Sequence, residues 1–343
     1  MSGVTDAQTT EAPPAAKPRW RRVLRSLTIV TSIVVAIAVV AALGTGLWLQ
    51  DKLGGQVDHL PSAMPAGDRP AESPGDSMNI LLMGSDKRVD GSVAGQRSDT
   101  MMVVHVPSNR EGIGVIGIPR DSWVQVPGHG PAKINAAFAW GGPALAVETV
   151  ENLTDVRIDH VAVIDWEGFK ALTDALGGVE ITVPNTVTDG YSGRTWRAGT
   201  QRMDGATALD YVRQRAGLAG GDFDRIKRQQ NFLRALMAQT LSTGTFANPV
   251  RLYGALDAVT KNLSVDEGWS TGELRDFAWS LRSIRGSDVA FTTVPVKGTG
   301  MEGEQSVVYL DRQAGEDLWQ AVREDTVAEW VATTGAGLPS DVN

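Results

Sequence analysis

Five cations fall within the twenty residues YVRQRAGLAGGDFDRIKRQQ (211–230), in a chain of 343 residues whose formal net charge is −8. The run GGD at 220–222 reads as a helix start with Asp222 at the N-cap, so Arg225, Arg228 and Gln229 share one helix face. Cations in a first turn work against the positive end of the helix dipole. An anion beside them removes the conflict: a helix N-terminus flanked by guanidinium groups is a phosphate site. The bland alternative pairs these arginines with Asp222 and Asp224 on the surface. Ile226, Leu233 and Met237 form a second stripe expected in the core, with Lys227 and Arg234 opposite, toward water. Arg213 and Arg215 end the preceding helical pattern, where cations are favourable anyway. They share a side only if the helix has unwound between them.

Two further clusters could join such a site. In MGSDKR (83–88) and RSDTM (97–101), Asp86 ends one apolar run and Asp99 begins the next. An antiparallel pair would bring them close. Magnesium is held by one or two carboxylates plus substrate phosphates, and Arg88 and Arg97 stand beside these two; Asp and Ser are also ordinary turn residues. In GIPRDSW (117–123) and AKIN (132–135), Arg120 stands at the end of a strand leaving the core and Lys133 one short loop later. Strand ends are where open α/β sheets place ligands. A plain Arg120–Asp121 salt bridge is the alternative.

Composition narrows the chemistry. There is no cysteine, which excludes disulfides, thiolate nucleophiles and cysteine-ligated metals. The histidines are His59, His105, His129 and His160, without metal-ligand spacing. The order of residues leaves a Ser-His-Asp triad open, but no GxSxG elbow accompanies it. No GxxxxGK[ST] phosphate loop is present, and the acidic balance argues against nucleic acid as a partner.

The elements that position these residues follow a tripartite chain. Residues 1–25 read as a disordered cytoplasmic tail. Residues 26–49, uncharged from Leu27 to Leu49, are long enough to span a bilayer as a helix; a cleaved signal peptide is the alternative, but its apolar core would be shorter. Lys17, Arg19, Arg21, Arg22 and Arg25 before them keep the N-terminus cytoplasmic. Residues 50–77 are a Pro/Gly/Ser-rich linker, and residues 326–343 a C-terminal tail. Between them, one domain over 78–325 is expected. MNILLMG (78–84), TMMVVHV (100–106), GIGVIGI (112–118) and HVAVIDW (160–166) are short apolar runs expected as buried strands. VEITVP (179–184), VAFTTVPV (289–296) and SVVYLD (306–311) follow as further strands. Helical patterns occupy 143–153, 167–178, 204–212, 223–241, 248–259, 271–284 and 312–324. The alternation points to an α/β, three-layer α-β-α sandwich on a central mixed sheet.

Taken in order, NILLMGSDKR, RSDTMMVVHV, GVIGIPRDSWV, KINAAFAWGG, DWEGFKALTDALGGVEITVP and GTQRMDGATALDYVRQR…DFDRIKRQQNFLRAL resemble the LytR-CpsA-Psr family of bacterial cell-wall enzymes, from about residue 78 to 240. The resemblance implies a Mg2+-dependent phosphotransferase, anchored in the cell membrane of a Gram-positive type envelope with its catalytic domain outside. Its donor would be a polyprenyl-pyrophosphate-linked glycan, bound with its lipid in an apolar pocket, and its acceptor a peptidoglycan hydroxyl. By the resemblance, Asp86 and Asp99 hold the metal. Arg120, Arg213, Arg215, Arg225 and Gln229 take the pyrophosphate, and Arg88, Arg97, Lys133 and Arg228 match basic positions near it. No general base stands out among Asp121, Asp222 and Asp224. A polyprenyl-pyrophosphate phosphatase and a non-catalytic wall-polymer-binding or regulatory module are the competing readings.

Overall fold

Leu81 and Met83 face one way from their strand, and Ile80 and Leu82 the other; both pairs are packed into apolar layers. This two-sided burial marks a sheet covered on both faces. The computed structural model describes residues 57–73, 75–85, 98–214, 217–218, 222–240, 257, 261, 263–281 and 283–337. The described residues belong to one compact unit.

Seven described strands form the main sheet: β1 (Asp58–Leu60), β2 (Met78–Ser85), β3 (Ser98–Val106), β4 (Ile113–Gly117), β7 (His160–Asp165), β12 (Leu263–Asp266) and β13 (Val289–Thr293). Their spatial order is β1-β12-β7-β2-β3-β4-β13. β2 runs parallel to β7, β13 parallel to β4, and β3 antiparallel to both β2 and β4. Hence β2, β4, β7 and β13 all end at the same edge of the sheet, where β3 begins. The sheet is mixed, as its sequence pattern predicts.

Smaller ribbons decorate it. β5 (Trp123–Val126) pairs with β6 (Gly130–Lys133), β8 (Val179–Val183) with β11 (Gly199–Met203), β9 (Val187–Thr188) with β10 (Thr195–Trp196), and β14 (Val296–Glu302) with β15 (Gln305–Leu310). VEITV therefore leaves the main sheet. Its alternation of buried Val179, Ile181 and Val183 with exposed Glu180 and Thr182 suits a ribbon with one wet face.

The helices divide between the faces. Phe138, Val147 and Val150 of α1 (Ile134–Thr154) and Leu318, Trp319 and Val322 of α6 (Arg312–Arg323) pack with Leu81, Met83, Val103, Ile116 and Val161. On the other face, Leu233 and Met237 of α4 (Asp222–Thr240) and Phe277 of α5 (Thr271–Ser280) meet Met102, Val115 and Phe291. α2 (Trp166–Ala175) and α3 (Gly205–Arg213) lie side by side: a Cβ on Gly205 would fall 2.4 Å from the carbonyl oxygen of Lys170. Each fully buried Leu, Ile or Phe contributes roughly 1.5–3 kcal/mol.

Several expectations need correction. The helix expected from 143 starts at Ile134, and it is broken at Gly141 and Gly142 before Pro143 restarts it. The linker 50–77 is not wholly linker, because β1 pairs in parallel with β12 and Arg69 grips buried Glu151 through Nε and Nη2, the latter 2.7 Å from Oε1. The tail 326–343 is not wholly tail either: α7 (Val327–Thr334) puts Val327 into the core. Two runs that spell GxGxxG, 112–117 and 298–303, lie along β4 and at the β14–β15 hairpin rather than at strand-to-helix turns, so neither is a dinucleotide loop. The expected membrane helix 26–49 and the helix at 248–259 lie outside the described residues, apart from Asp257. Among the described residues, no helix is long and apolar enough to cross a membrane.

Candidate functional site

The common strand edge is where the chemistry gathers. β2 ends at Ser85, which registers with Asp165 of β7 on one side and Ser98 of β3 on the other. Because Gly84 faces Thr100 while Ser85 faces Ser98, Asp99 is the extra residue of a β-bulge. Bulges commonly re-aim a side chain at a sheet edge. The expected antiparallel pairing is thus present, with Asp86 one residue beyond the end of β2. Asp86, Arg88, Arg97 and Arg215 themselves lie outside the described residues.

At that edge β7 passes directly into α2, capped by Asp165, whose Oδ1 accepts from the Gly168 backbone N–H at 2.7 Å. Trp166, the first residue of α2, borders a cavity of about 550 Å³ together with Arg213, Gln214, Arg225, Gln229 and the 189–192 turn. α3 delivers Arg213 as its last residue. The chain then leaves the helix at Gln214, whose φ of −57° and ψ of 135° are extended. α4 delivers Arg225 and Gln229 one turn apart in its N-terminal half. Asp189 anchors the facing turn by accepting from Ser192 Oγ and from the Tyr191 backbone. Those hydrogen bonds, Ser192's first, hold its carboxyl below the usual value, so it stays ionised.

Arg213 and Arg225 set two cations in the cavity wall, and the carboxylates of Asp189 and Asp210 also border it. Arg225 is only 2% exposed and Gln229 9%, and the Arg213 guanidinium lies 5.3 Å from the Trp166 ring centroid. Guanidinium groups near a helix N-terminus, out of bulk water, favour a multiply charged anion. The indole N–H of Trp166 is buried without a hydrogen-bond partner among the described residues, a further donor in the cavity wall.

Arg228 behaves differently from its neighbours. It is buried behind the cavity, where Nη1 donates to Gln214 Oε1 at 2.6 Å and the guanidinium sits 4.4 Å over the Tyr211 ring. Burial pushes its pKa down from the ordinary value. Arg234, expected toward water, instead lies 5.1 Å from the Phe291 centroid, whereas Lys227 is exposed and 3.6 Å from Asp224.

Arg120 and Lys133 border a second cavity, of about 580 Å³. Lys133 Nζ is 2.9 Å from Asp121 Oδ1, and Arg120 Nε 3.8 Å from Oδ2. The bland Arg120–Asp121 contact is therefore present, with Lys133 sharing the same carboxylate. The two sets of cations approach the same strand end: a Cβ on Gly117, three residues before Arg120, would lie 2.7 Å from the Gln230 side chain of α4.

The sequence reading missed Trp166, Gln214 and the 189–192 turn. Trp166 had a usable signal, a tryptophan at a strand-to-helix junction next to an apolar strand. Gln214 and the turn carry none, since polar residues between elements are commonplace.

Residues 57–324 match the LytR_cpsA_psr family. The chain belongs to this family. It is 36% identical over 278 residues to the cell wall biosynthesis protein LcpA of Corynebacterium glutamicum, covering 68% of this chain and 53% of that one. It thus spans about half the length of LcpA. It is 31% identical over 287 residues to the polyisoprenyl-teichoic acid–peptidoglycan teichoic acid transferase TagU of Halalkalibacterium halodurans, covering 81% of this chain and 90% of that one. Among solved structures it resembles TagT bound to LI-WTA, with a TM-score of 0.61 and 25% identity over 77% of this chain and 98% of that one. The LytR-Csp2A-Psr enzyme from Actinomyces oris gives a TM-score of 0.59 at 25% identity over 76% and 96%.

Proposed function

We propose that this chain is a membrane-anchored phosphotransferase that moves a glycopolymer from a polyprenyl pyrophosphate carrier to a peptidoglycan hydroxyl. The observation that carries the reading is the cavity walled by Arg213, Arg225, Gln229 and Trp166, in a chain of this family. Residues 26–49 would hold it in the membrane with the described residues outside.

In the reaction, the acceptor hydroxyl oxygen attacks the phosphorus that carries the glycan. The bond from that phosphorus to the bridging oxygen breaks, and polyprenyl phosphate departs as the hydroxyl proton passes to solvent. Phosphoryl transfer of this kind is mostly positioning and charge neutralisation. Arg213 and Arg225 would take the non-bridging oxygens, Gln229 would donate from its amide, and Arg215 would add its charge from the same segment. Arg228 would fix Tyr211 and Gln214 behind them. Arg120 and Lys133 would hold the glycan-bearing phosphate from the second cavity, with Arg88 and Arg97 nearby in sequence to the metal pair. Asp99, the bulge residue across from the end of β2, and Asp86, one position past that end in sequence, would supply two carboxylates of the hard-oxygen kind that magnesium takes. Bound there, Mg2+ would neutralise phosphate charge.

The test uses the full chain in detergent with a polyprenyl-pyrophosphate disaccharide, magnesium and a peptidoglycan oligosaccharide. Saccharide joined to the acceptor through a phosphodiester supports the transferase. Hydrolysis alone, with acceptor in excess, replaces it with a phosphatase. Lipid binding without turnover replaces it with a binding module.

A further inference from the structure

The second cavity contains more than its cations. Trp140 stands at its rim half-exposed and stacks on His129, with ring centroids 4.7 Å apart at 29°. Trp123, Asn135, Gln305 and Ser306 border the same space. The exposed half of Trp140 offers a rigid aromatic surface at the cavity mouth.

The backbone holds Trp140 in place by a specific device. The helical run from Ile134 stops immediately after it, at Gly141 and Gly142, and Gly142 adopts φ 64° and ψ −156°, a conformation open in practice only to glycine. A Cβ on Gly141 would fall 2.5 Å from the Leu145 Cβ. The β14–β15 hairpin brings in Gln305 and Ser306 from the other side. It is fastened to the turn before β5 by the Val308 N–H donating to the Asp121 carbonyl at 2.9 Å.

A flat aromatic face beside amide and hydroxyl groups has a particular complement. A pyranose ring has one face of polarised C–H bonds, which stacks on an aromatic π-face, and a rim of hydroxyls that needs both donors and acceptors. Asn and Gln supply both from one side chain. The cations sharing the cavity suit a sugar that arrives next to a phosphate. We infer that Trp140, with His129 behind it and Asn135 and Gln305 alongside, is a platform for a pyranose ring of the glycan. This inference rests on the transferase reading for its choice of sugar, since either the donor glycan or the peptidoglycan acceptor presents such a ring.

The test titrates the full chain in detergent with three probes: a phosphate-free peptidoglycan tetrasaccharide, polyprenyl pyrophosphate without sugar, and polyprenyl pyrophosphate bearing a disaccharide. Trp140→Ala should weaken a glycan probe about tenfold, leave the sugar-free lipid and the melting temperature unchanged, and be largely rescued by Trp140→Phe. Loss on the tetrasaccharide assigns the platform to the acceptor. Loss confined to the sugar-bearing lipid assigns it to the donor. Unchanged affinity for both glycan probes in Trp140→Ala, or wild-type protein that binds neither, overturns the platform. Failure of the wild type to bind the sugar-free lipid overturns the transferase reading instead, with the tetrasaccharide arm still readable.

Discussion

The guanidinium of Arg228 sits over the Tyr211 ring, 4.4 Å from its centroid, and ties α4 to the exit of α3 through Gln214 Oε1 at 2.6 Å. Arg228→Ala leaves a void and removes the hydrogen bond to Gln214, so the full chain should lose about 2–4 kcal/mol in denaturant titrations. Arg228→Lys supplies a point charge without the planar fork and should recover only part of that. Equal stability of wild type and Arg228→Ala would remove the positioning role.

Arg225 lines the cavity and should show the opposite balance. Its side chain borders the cavity, so its removal widens a space already open to solvent instead of leaving a sealed void. Arg225→Ala should weaken sugar-free polyprenyl pyrophosphate by roughly 10- to 100-fold in calorimetry. Its stability loss should be smaller than that of Arg228→Ala. A variant that unfolds readily yet binds the lipid normally would move Arg225 from the ligand to the scaffold.

Asp99 separates affinity from turnover. Asp99→Asn should abolish the heat of magnesium binding and lower transfer at least about 100-fold, while affinity for the lipid stays within a few-fold. Chelation of the wild type should reproduce the turnover loss. Magnesium binding that persists unchanged in Asp99→Asn would place the metal elsewhere.

The opposite flank of the sheet gives a pH signature. His160 stacks on Trp269 at 4.4 Å and lies 3.1 Å from Asp266 Oδ2, which also accepts from the Val161 backbone N–H at 2.9 Å. Burial alone would raise the Asp266 pKa, but these hydrogen bonds outweigh it and hold the carboxyl below its ordinary 3.8. A depressed carboxyl contributes stability above its unfolded pKa and loses it as pH falls through the folded one. Wild type should therefore exceed Asp266→Asn by most above pH of about 4, and the gap should close on acidification. A gap independent of pH would sink the assignment.

Long apolar runs announced the main sheet, because residues buried on both faces leave a signal no turn can imitate. β1 left none: three residues, Asp58–Leu60, cannot establish a period, and a Pro/Gly/Ser-rich setting masked them. Arg69 looked like one more linker charge, since nothing local reveals a partner 82 positions away in Glu151. The cationic stretch 211–230 was legible as an anion site from charge against the helix dipole. The inward turn of Arg228 was not, as helical spacing gives it the same face as Arg225. Which cations share a cavity is decided by how α4 crosses the end of β4, a tertiary fact. Trp140 escaped notice because it lies ahead of the helical pattern read from 143, whereas the helix begins at Ile134.

The way the chain enters the sheet has a mechanical consequence. A pull on residue 57 is borne first by β1, which is held to β12 through three register positions, and next by the Arg69–Glu151 grip. The strands carrying the cavities lie further in and run through longer pairings. Tension from that end would therefore peel β1 away at low force and spend itself there, leaving the chemistry unloaded, much as a short sacrificial stitch spares the seam behind it.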